Sequence, residues 1–182
     1  MSLSIGHVAV GLAILVASGM PRPAAAASPD GGDTACAAAT ATPRVRSSRP
    51  AVAEQIHATA GQSGTFCRLL ETIGRTDGLV YVSPGRCGRN IRACLTHQVI
   101  VAGPQRVLHI LVDDTRERRM LMAAIGHELR HAVEVLENPA IASTAALVDF
   151  YQHHGLRIGK TLETEAAIQA GVDVYRELGD GR

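Results

Sequence analysis

The spacing of apolar residues changes twice along the chain, and each change predicts a different kind of element. Two helical patterns come first: 50–60 and 66–73. Gly74 or Asp77-Gly78 ends the second of them. Three runs rich in β-branched residues follow: 79–82, 98–102 and 106–112. Helical spacing then returns three times: 114–137, 140–153 and 161–178. This order predicts an α+β domain whose helices pack on one face of a small sheet.

The breaks between the three strand-like runs predict how the strands are connected. A polar Gly/Arg/Asn segment that includes Cys87 and Cys94 separates the first two runs, and Gly103-Pro104 separates the last two. Both breaks are typical of hairpins between antiparallel strands. The run around His109 is a candidate for the sheet edge along which another chain would lie.

The N-terminal segment predicts export of the chain. Apolar and small residues fill 8–20 without interruption, and a small-residue cleavage region ends near Ala27. An uncleaved anchor is the alternative, but the apolar run is shorter than the ~20 residues that span a bilayer. We therefore expect a signal peptide at 1–27, no stable membrane anchor after cleavage, and a secreted or periplasmic protein.

Composition divides the remainder into a tail and one domain. Residues 28–49 are mainly Ala, Gly, Thr, Ser and Pro, which predicts a disordered linker, and 50–182 form the domain. The basic cluster at 44–49 lies in that linker, and the net charge is only +1, so nothing indicates a nucleic-acid partner. Trp is absent and only three Tyr and two Phe occur, so the core must consist of Leu, Ile, Val and Ala.

Four cysteines in an exported chain are compatible with two disulfides. Cys87 and Cys94 flank one short loop and are the favoured pair. Cys36 and Cys67 then remain as a pair by elimination. A zinc site built on cysteine is not favoured, because no Cys-x-x-Cys spacing occurs.

The segment His127-Glu128-Leu129-Arg130-His131 carries the chemistry. Residues four apart lie on one face of a helix, so His127 and His131 can direct two imidazole nitrogens at one metal ion. Glu128 lies about 100° round the helix, where it can hold a metal-bound water and act as general base. This is the His-Glu-x-x-His arrangement of zinc-dependent peptidases. The alternative is a solvated helix face that carries His, Glu and Arg by chance.

The surroundings of this segment favour a helix. Asp114 with Glu117 predicts a capping box, and Asn138-Pro139 predicts the end. Gly126 lies inside the helix at a cost of about 1 kcal/mol against Ala. Close approach of a strand or of the substrate backbone would explain it, and tolerated imperfection is the alternative.

A catalytic zinc needs a third protein ligand. Glu134 and Glu137 stand where a metzincin has Gly and His, which excludes that class. The motif and the downstream segment 163–167, Glu-Thr-Glu-Ala-Ala, resemble the gluzincins, and most closely the Glu-x-Glu-Ala-Asp segment of their prenyl-protease-like branch. The resemblance implies a zincin-like fold with a small antiparallel or mixed sheet, a motif-bearing helix and a glutamate-bearing C-terminal helix.

The resemblance also implies roles for individual residues. His127, His131 and Glu163 correspond to the zinc ligands and Glu128 to the general base. Glu165 is the alternative third ligand, because it lies about 200° from Glu163 on a helix and only one of them can face the metal.

One position departs from the family. Ala167 replaces the Asp that orients a ligand histidine, so that histidine needs another acceptor. Asp149, Asp173 or a backbone carbonyl is available for that role.

The sequence thus predicts a secreted zinc metalloendopeptidase that hydrolyses peptide or protein substrates. A donor to the transition state would come from four residues: Tyr151, His153, His154 and Tyr175. The alternative is an exported, non-catalytic zinc-binding or interaction module on a zincin fold. The sequence does not determine the oligomeric state.

Overall fold

The computed structural model describes Cys36 and residues 43–88, 91–115, 117–158 and 161–180. Five helices with the following bounds occur in those residues: α1 Pro50–Ala60, α2 Gly64–Gly74, α3 Arg118–Leu136, α4 Thr144–His154 and α5 Glu165–Asp180. The strands are β1 Val45–Ser47, β2 Gly78–Pro84, β3 Ala93–Ala102, β4 Gln105–Val112, β5 Leu156–Ile158 and β6 Thr161–Glu163. None of the described helices is long and apolar enough to cross a membrane. The predicted signal peptide at 1–27 lies outside the described residues.

The main sheet has four strands in the order β1-β2-β4-β3, and a separate pair is formed by β5 and β6. Strands β1, β2 and β4 run parallel, whereas β3 runs antiparallel to β4. The predicted α+β class and mixed sheet are therefore confirmed. The hairpin between β3 and β4 is also confirmed, and Gly103 takes a left-handed φ of 59° in its turn.

The predicted hairpin between β2 and β3 is wrong, because β4 lies between these two strands. Burial explains the difference. Leu79, Val80 and Val82 of β2 are all buried, as expected of an interior strand, whereas half of the residues of β3 are exposed. His109 consequently lies on an interior strand, and β3 is the sheet edge next to the motif helix.

The predicted linker 28–49 is too long at its C-terminal end, because residues 45–47 form β1. Val45 is buried in the core, and the Val80 N–H donates to the Arg44 carbonyl. The strand was not predicted because this segment contains few apolar residues. Val45 is the buried residue of β1, and a strand of three residues with one buried side chain gives no alternating pattern.

Both predicted disulfides are confirmed: Cys36 pairs with Cys67, and Cys87 pairs with Cys94. Disulfides persist in oxidising environments, so the chain is suited to an extracellular type of compartment. The second bridge closes the loop that leads into β3.

The core lies between the sheet and the helices. Its largest fully buried side chains are contributed by α2, β4, α3 and α4: Phe66, Ile73, Leu108, Ile110, Met122, Ile125, Leu129 and Leu147. Helix α3 is thus packed against the core along much of its length, which fixes the face that carries each of its side chains.

The start of α3 differs from the predicted capping box. Glu117 is itself the N-cap, and its carboxylate accepts from the N–H groups of Arg119 and Met120. Asp114 instead forms an ion pair with Arg49 at 2.8 Å. The Asp113 carboxylate accepts from the Thr115 hydroxyl. Residues 113–115 therefore form a loop, and the helix begins four residues later than predicted, at Arg118.

The end of α3 is held by a buried arginine. Arg106 of β4 is 4% exposed, and its guanidinium donates to the carbonyls of Val135 and Leu136 at 2.9 and 2.6 Å. It donates further to the Asn138 and Ile141 carbonyls just beyond the helix. The same group binds Asp77 through both carboxylate oxygens. A positive charge is thereby placed at the negative end of the helix dipole.

Helix α5 crosses α3 at very short range, and this explains Gly126. A Cβ on Gly126 would lie 2.8 Å from Cγ2 of Val174. One turn further along, a Cβ on Gly171 would lie 3.2 Å from the Cβ of His127. The approaching element is therefore a helix, rather than the strand or substrate backbone that the sequence suggested.

Candidate metal centre

The two motif histidines converge on one carboxylate oxygen. The Nε2 atoms of His127 and His131 lie 2.8 and 3.2 Å from Oε2 of Glu163. Both rings are carried by α3, whose i and i+4 residues share a face. Their ring centroids are 4.9 Å apart. The structure therefore brings His127, His131 and Glu163 together, as the sequence predicted.

Glu163 reaches the histidines from a hairpin and not from a helix. The predicted helix 161–178 begins only at Glu165, because Thr164 is its N-cap and accepts from the Ala167 N–H at 3.1 Å. Glu163 is the last residue of β6, and β6 pairs with β5. Glu165 is exposed at the start of α5 and takes no part in the cluster.

The cluster has the spacing that a metal ion requires. His127, Glu128 and His131 form a group whose ligand atoms all lie within 4.8 Å of one another, so they could hold a metal ion. Glu163 fits better than Glu128 as the third ligand. Ligand atoms at about 2.0–2.1 Å from a tetrahedral zinc are separated by about 3.3 Å. Its contacts of 2.8 and 3.2 Å are close to that value, whereas Glu128 Oε1 is 4.0 Å from His127 Nε2.

The Glu128 carboxylate lies between the two histidines and strand β3 at the sheet edge. Its Oε2 accepts the Leu95 N–H of β3 at 2.7 Å, while Oε1 is turned toward His127. The residue is only 8% exposed. Burial raises the pKa of Glu128, although the two histidines and the Leu95 N–H oppose that shift.

A polar chain lies behind His131, where the resemblance to the gluzincins led us to expect an Asp at position 167. His131 Nδ1 donates to Oε2 of Glu134 at 3.0 Å, and Oε1 of Glu134 accepts the Thr164 hydroxyl at 2.7 Å. The Tyr151 hydroxyl lies 3.1 Å from the same Nδ1 and donates to the His131 carbonyl. The side chain of Ala167 is fully buried.

The acceptors suggested from the sequence lie elsewhere. Asp149 is exposed and lies beside His153, and Asp173 accepts from Gln169 and Arg176. Glu134 was overlooked as an acceptor, although its position three residues after His131 places it on the same helix face. That spacing was a usable signal in the sequence.

Hydrogen bonds shift the pKa values of the cluster in opposite directions. Burial on its own would lower the pKa of His131, but hydrogen bonds to Glu134 and Glu163 raise it to about 9. Hydrogen bonds from His127 and His131 hold the pKa of Glu163 well below its usual range. Burial would raise the pKa of Glu134, yet the bonds from His131 and Thr164 lower it. In the metal-free protein these shifts favour a protonated His131 imidazole beside the ionised carboxylates of Glu134 and Glu163.

Three of the four candidate transition-state donors lie away from the cluster's open side. Tyr151 is buried behind His131, and burial raises the pKa of its hydroxyl. His153 and His154 are exposed, and each bonds to a backbone carbonyl of its own helix. Tyr175 lines the cleft that opens beside His127 and Glu128.

The chain matches no protein-family model, no curated protein and no solved structure. The function of the site must therefore be argued from its own geometry. The described structure contains an α+β fold with a histidine–carboxylate cluster that could hold a metal ion, set at the junction of a helix, a sheet edge and a hairpin.

Proposed function

We propose that the protein is an exported zinc-dependent metallopeptidase of the gluzincin kind, in which His127, His131 and Glu163 bind zinc and Glu128 is the general base. The observation that carries this proposal is the convergence of both Nε2 atoms on Oε2 of Glu163. A simple His–Glu hydrogen bond would involve only one histidine, whereas two histidines and a carboxylate that meet at one point are typical of a metal site.

The donor set supports zinc over harder cations. Two imidazole nitrogens and one carboxylate oxygen form the ligand set of known catalytic zinc sites, whereas calcium and magnesium prefer oxygen ligands alone. When bound, zinc would polarise the scissile carbonyl and lower the pKa of a coordinated water toward 7. The second nitrogen of His131 is already bound to Glu134, which fixes the ring orientation that a ligand histidine requires.

Glu128 is positioned to move the proton of the attacking water. The Leu95 N–H occupies one carboxylate oxygen and leaves Oε1 free on the side of the histidines. Burial moves the pKa of Glu128 toward neutral pH, and a general base transfers protons most efficiently when its pKa is near the working pH. The same oxygen would then deliver the proton to the leaving amine.

The sheet edge offers a place for a peptide backbone. β3 is an edge strand of the four-stranded sheet, and its Leu95 N–H lies against Glu128. An extended peptide added to this edge would present its carbonyl close to the base, as in other cases of strand addition. The substrate is therefore proposed to be a peptide or an extended segment of a protein.

The test begins with the metal content of the chain from Ser28 onward, purified without a histidine tag. We expect about one zinc per chain by elemental mass spectrometry in the wild type and in Glu128→Gln, and loss of zinc in His131→Ala. Hydrolysis of a diverse peptide library should occur in the wild type and be abolished in Glu128→Gln.

The other outcomes identify the alternative functions. A full zinc complement without any hydrolysis in the wild type would favour the non-catalytic zinc-binding or interaction module. No zinc in the wild type, even after zinc is added back, would contradict the proposal altogether.

A further inference from the structure

An open cleft of about 580 Å³ begins at His127 and Glu128 and extends between α3 and α5. The end of the cleft at the candidate metal centre is acidic, because Glu128 and Glu163 line it together with His127. Beyond that end, uncharged side chains from the two helices line its walls: Met120, Ala123, Ala124, Ile168, Val172 and Tyr175. Arg92, just before β3, lies on the remaining side.

The α5 wall consists of apolar residues that a surface helix would not normally expose together. Ile168, Val172 and Tyr175 are 37%, 45% and 43% exposed. Their spacing of four and three residues places them on one helix face. Single exposed apolar residues are common on protein surfaces, but a contiguous row beside a site is typical of a binding surface.

Tyr175, at the far wall of the cleft, contacts Arg119 of α3. The guanidinium of Arg119 lies 3.8 Å above the ring of Tyr175, and its Nε donates to the Tyr175 carbonyl at 2.6 Å. Any side chain at Gly179 would collide with that guanidinium. These contacts with Arg119 favour the observed position of Tyr175 at the wall of the cleft.

We propose that this cleft binds one apolar side chain of the substrate, on the residue next to the scissile bond, and that Val172 and Tyr175 determine which side chain fits. The inference rests on the proposed function, since the cleft is continuous with Glu128 and the zinc ligands. The cleft volume lies within the range of small-ligand pockets, and its wall residues of α3 and α5 are uncharged. An aliphatic or aromatic side chain therefore fits its chemistry.

The direct test uses amino-acid hydroxamates, which bind zinc through the same group and differ only in the side chain. Calorimetry on the zinc-loaded protein should show leucine hydroxamate binding about tenfold more tightly than alanine hydroxamate, from partial burial of three further carbons. Aspartate hydroxamate should bind no better than alanine hydroxamate. The peptide library should show the same order of preference beside the cleaved bond.

Two substitutions to Asp locate the effect. Val172→Asp places a carboxylate in the cleft and should abolish the preference for leucine over alanine while zinc content is unchanged. Ala145→Asp, on an exposed position of α4 outside the cleft, should leave the preference intact. Tyr175→Ala lengthens the cleft and should shift the preference from leucine toward phenylalanine hydroxamate.

The outcomes separate this inference from the proposed function. Equal binding of leucine and alanine hydroxamates by the zinc-loaded wild type overturns the cleft assignment and leaves the peptidase proposal standing. A leucine preference without any peptide hydrolysis supports the cleft and contradicts the enzyme. Absence of zinc uptake overturns both. A dimer that Val172→Asp dissociates and Ala145→Asp does not would show instead that a second copy of the chain occupies the cleft.

Discussion

The two parts of the candidate metal centre come from regions of very different construction. Helix α3 supplies His127, Glu128 and His131, and it is packed by the sheet, by α2 and by α5. The hairpin β5–β6 supplies Glu163 from strands of only three residues, and every residue of β5 is exposed. One half of the site belongs to the rigid core, and the other half is joined to it through few contacts.

This difference indicates how binding and stability are divided. Substitutions that loosen α3 should unfold the protein and lose the site as a consequence. Substitutions on the hairpin should remove metal binding and leave the fold largely intact. A metal ion bound by both parts would tie the hairpin to the core, so metal binding should stabilise the protein by linkage.

The largest expected effect is on the α3 side. Arg106→Met removes the guanidinium that binds Asp77 and the carbonyls at the end of α3, so the buried carbonyls of Val135 and Leu136 lose their charged donor. We expect a loss of about 3–5 kcal/mol in the free energy of unfolding. Urea denaturation of the wild type and the variant measures it. Arg75→Met, at an exposed arginine, should change the value by less than about 0.5 kcal/mol. Equal effects of the two substitutions would show that α3 does not depend on this anchor.

The next effect is on the hairpin side. Glu163→Gln removes the carboxylate on which both histidines converge and should weaken zinc binding by more than about 100-fold, because even outer partners of ligand histidines contribute 10–100-fold. Competition with a chromophoric chelator measures the affinity. The free energy of unfolding of the metal-free variant should fall by about 1–3 kcal/mol, because the hydrogen bonds from both histidines to the carboxylate are lost, and the chain should remain folded. Glu165→Gln, two residues away and exposed, is the matched control and should bind zinc normally.

The pH dependence of the metal-free protein tests the coupling between the two parts. The folded pKa of His131 is about 9 because of Glu134 and Glu163, against about 6.5 for an unfolded histidine. The stabilisation is therefore complete below about pH 6.5 and is lost as the pH rises through 9. Between pH 6 and 8 we expect a loss of about 1–2 kcal/mol in the free energy of unfolding with a chelator present.

A variant and the zinc-loaded protein provide the controls for that measurement. Glu134→Gln should flatten the pH dependence, because the neutral amide no longer favours the imidazolium. Zinc affinity should change in the opposite sense and increase with pH, since a ligand histidine must lose its proton. An identical pH slope in Glu134→Gln and the wild type would assign the effect to other groups.

The smallest expected effect tests the contact between α3 and α5. Gly126→Ala places a methyl group 2.8 Å from Cγ2 of Val174, and a β-branched side chain has little freedom to move away. The strain exceeds the gain in helix propensity, so we expect a net loss of about 1 kcal/mol in thermal or urea unfolding. Gly74→Ala, with nothing within 4 Å, should be neutral or stabilising. Adding Val174→Ala to Gly126→Ala should recover part of the loss.

Much of the α3 half could be predicted from local sequence. The periodic apolar residues predicted a helix at 114–137, where the structure has one at Arg118–Leu136, and the four-residue spacing placed both histidines on one face. The periodicity could not distinguish the residues of α3 that lie in the core from those that line the cleft, however. Leu121, Ile125 and Leu129 are buried, whereas Met120 and Ala124 line the cleft. All five residues fit one apolar pattern, because the inner wall of a binding cleft is as apolar as a core.

The hairpin half brings the predicted residue, Glu163, beside the histidines, but the element that carries it was predicted wrongly. Glu163 was expected on a helix by resemblance to the gluzincins, yet it ends β6 before Thr164 caps α5. The role of Glu134 is also a tertiary result. Its carboxylate is held by Thr164, which is 30 residues away in the sequence. Contacts of this kind depend on how the hairpin folds back, which no local pattern specifies.

The sequence by itself determined the longer helices and strands, the four-residue spacing of the histidines and the two disulfides, because these depend on local periodicity, turn residues and the number of cysteines. The tertiary structure alone decided that β4 separates β2 from β3, that β3 holds Glu128 through the Leu95 N–H, and that α5 forms the wall of a cleft. Each of these arrangements joins residues far apart in the chain, and its stability comes from burial and hydrogen bonding that exist only once the chain is folded.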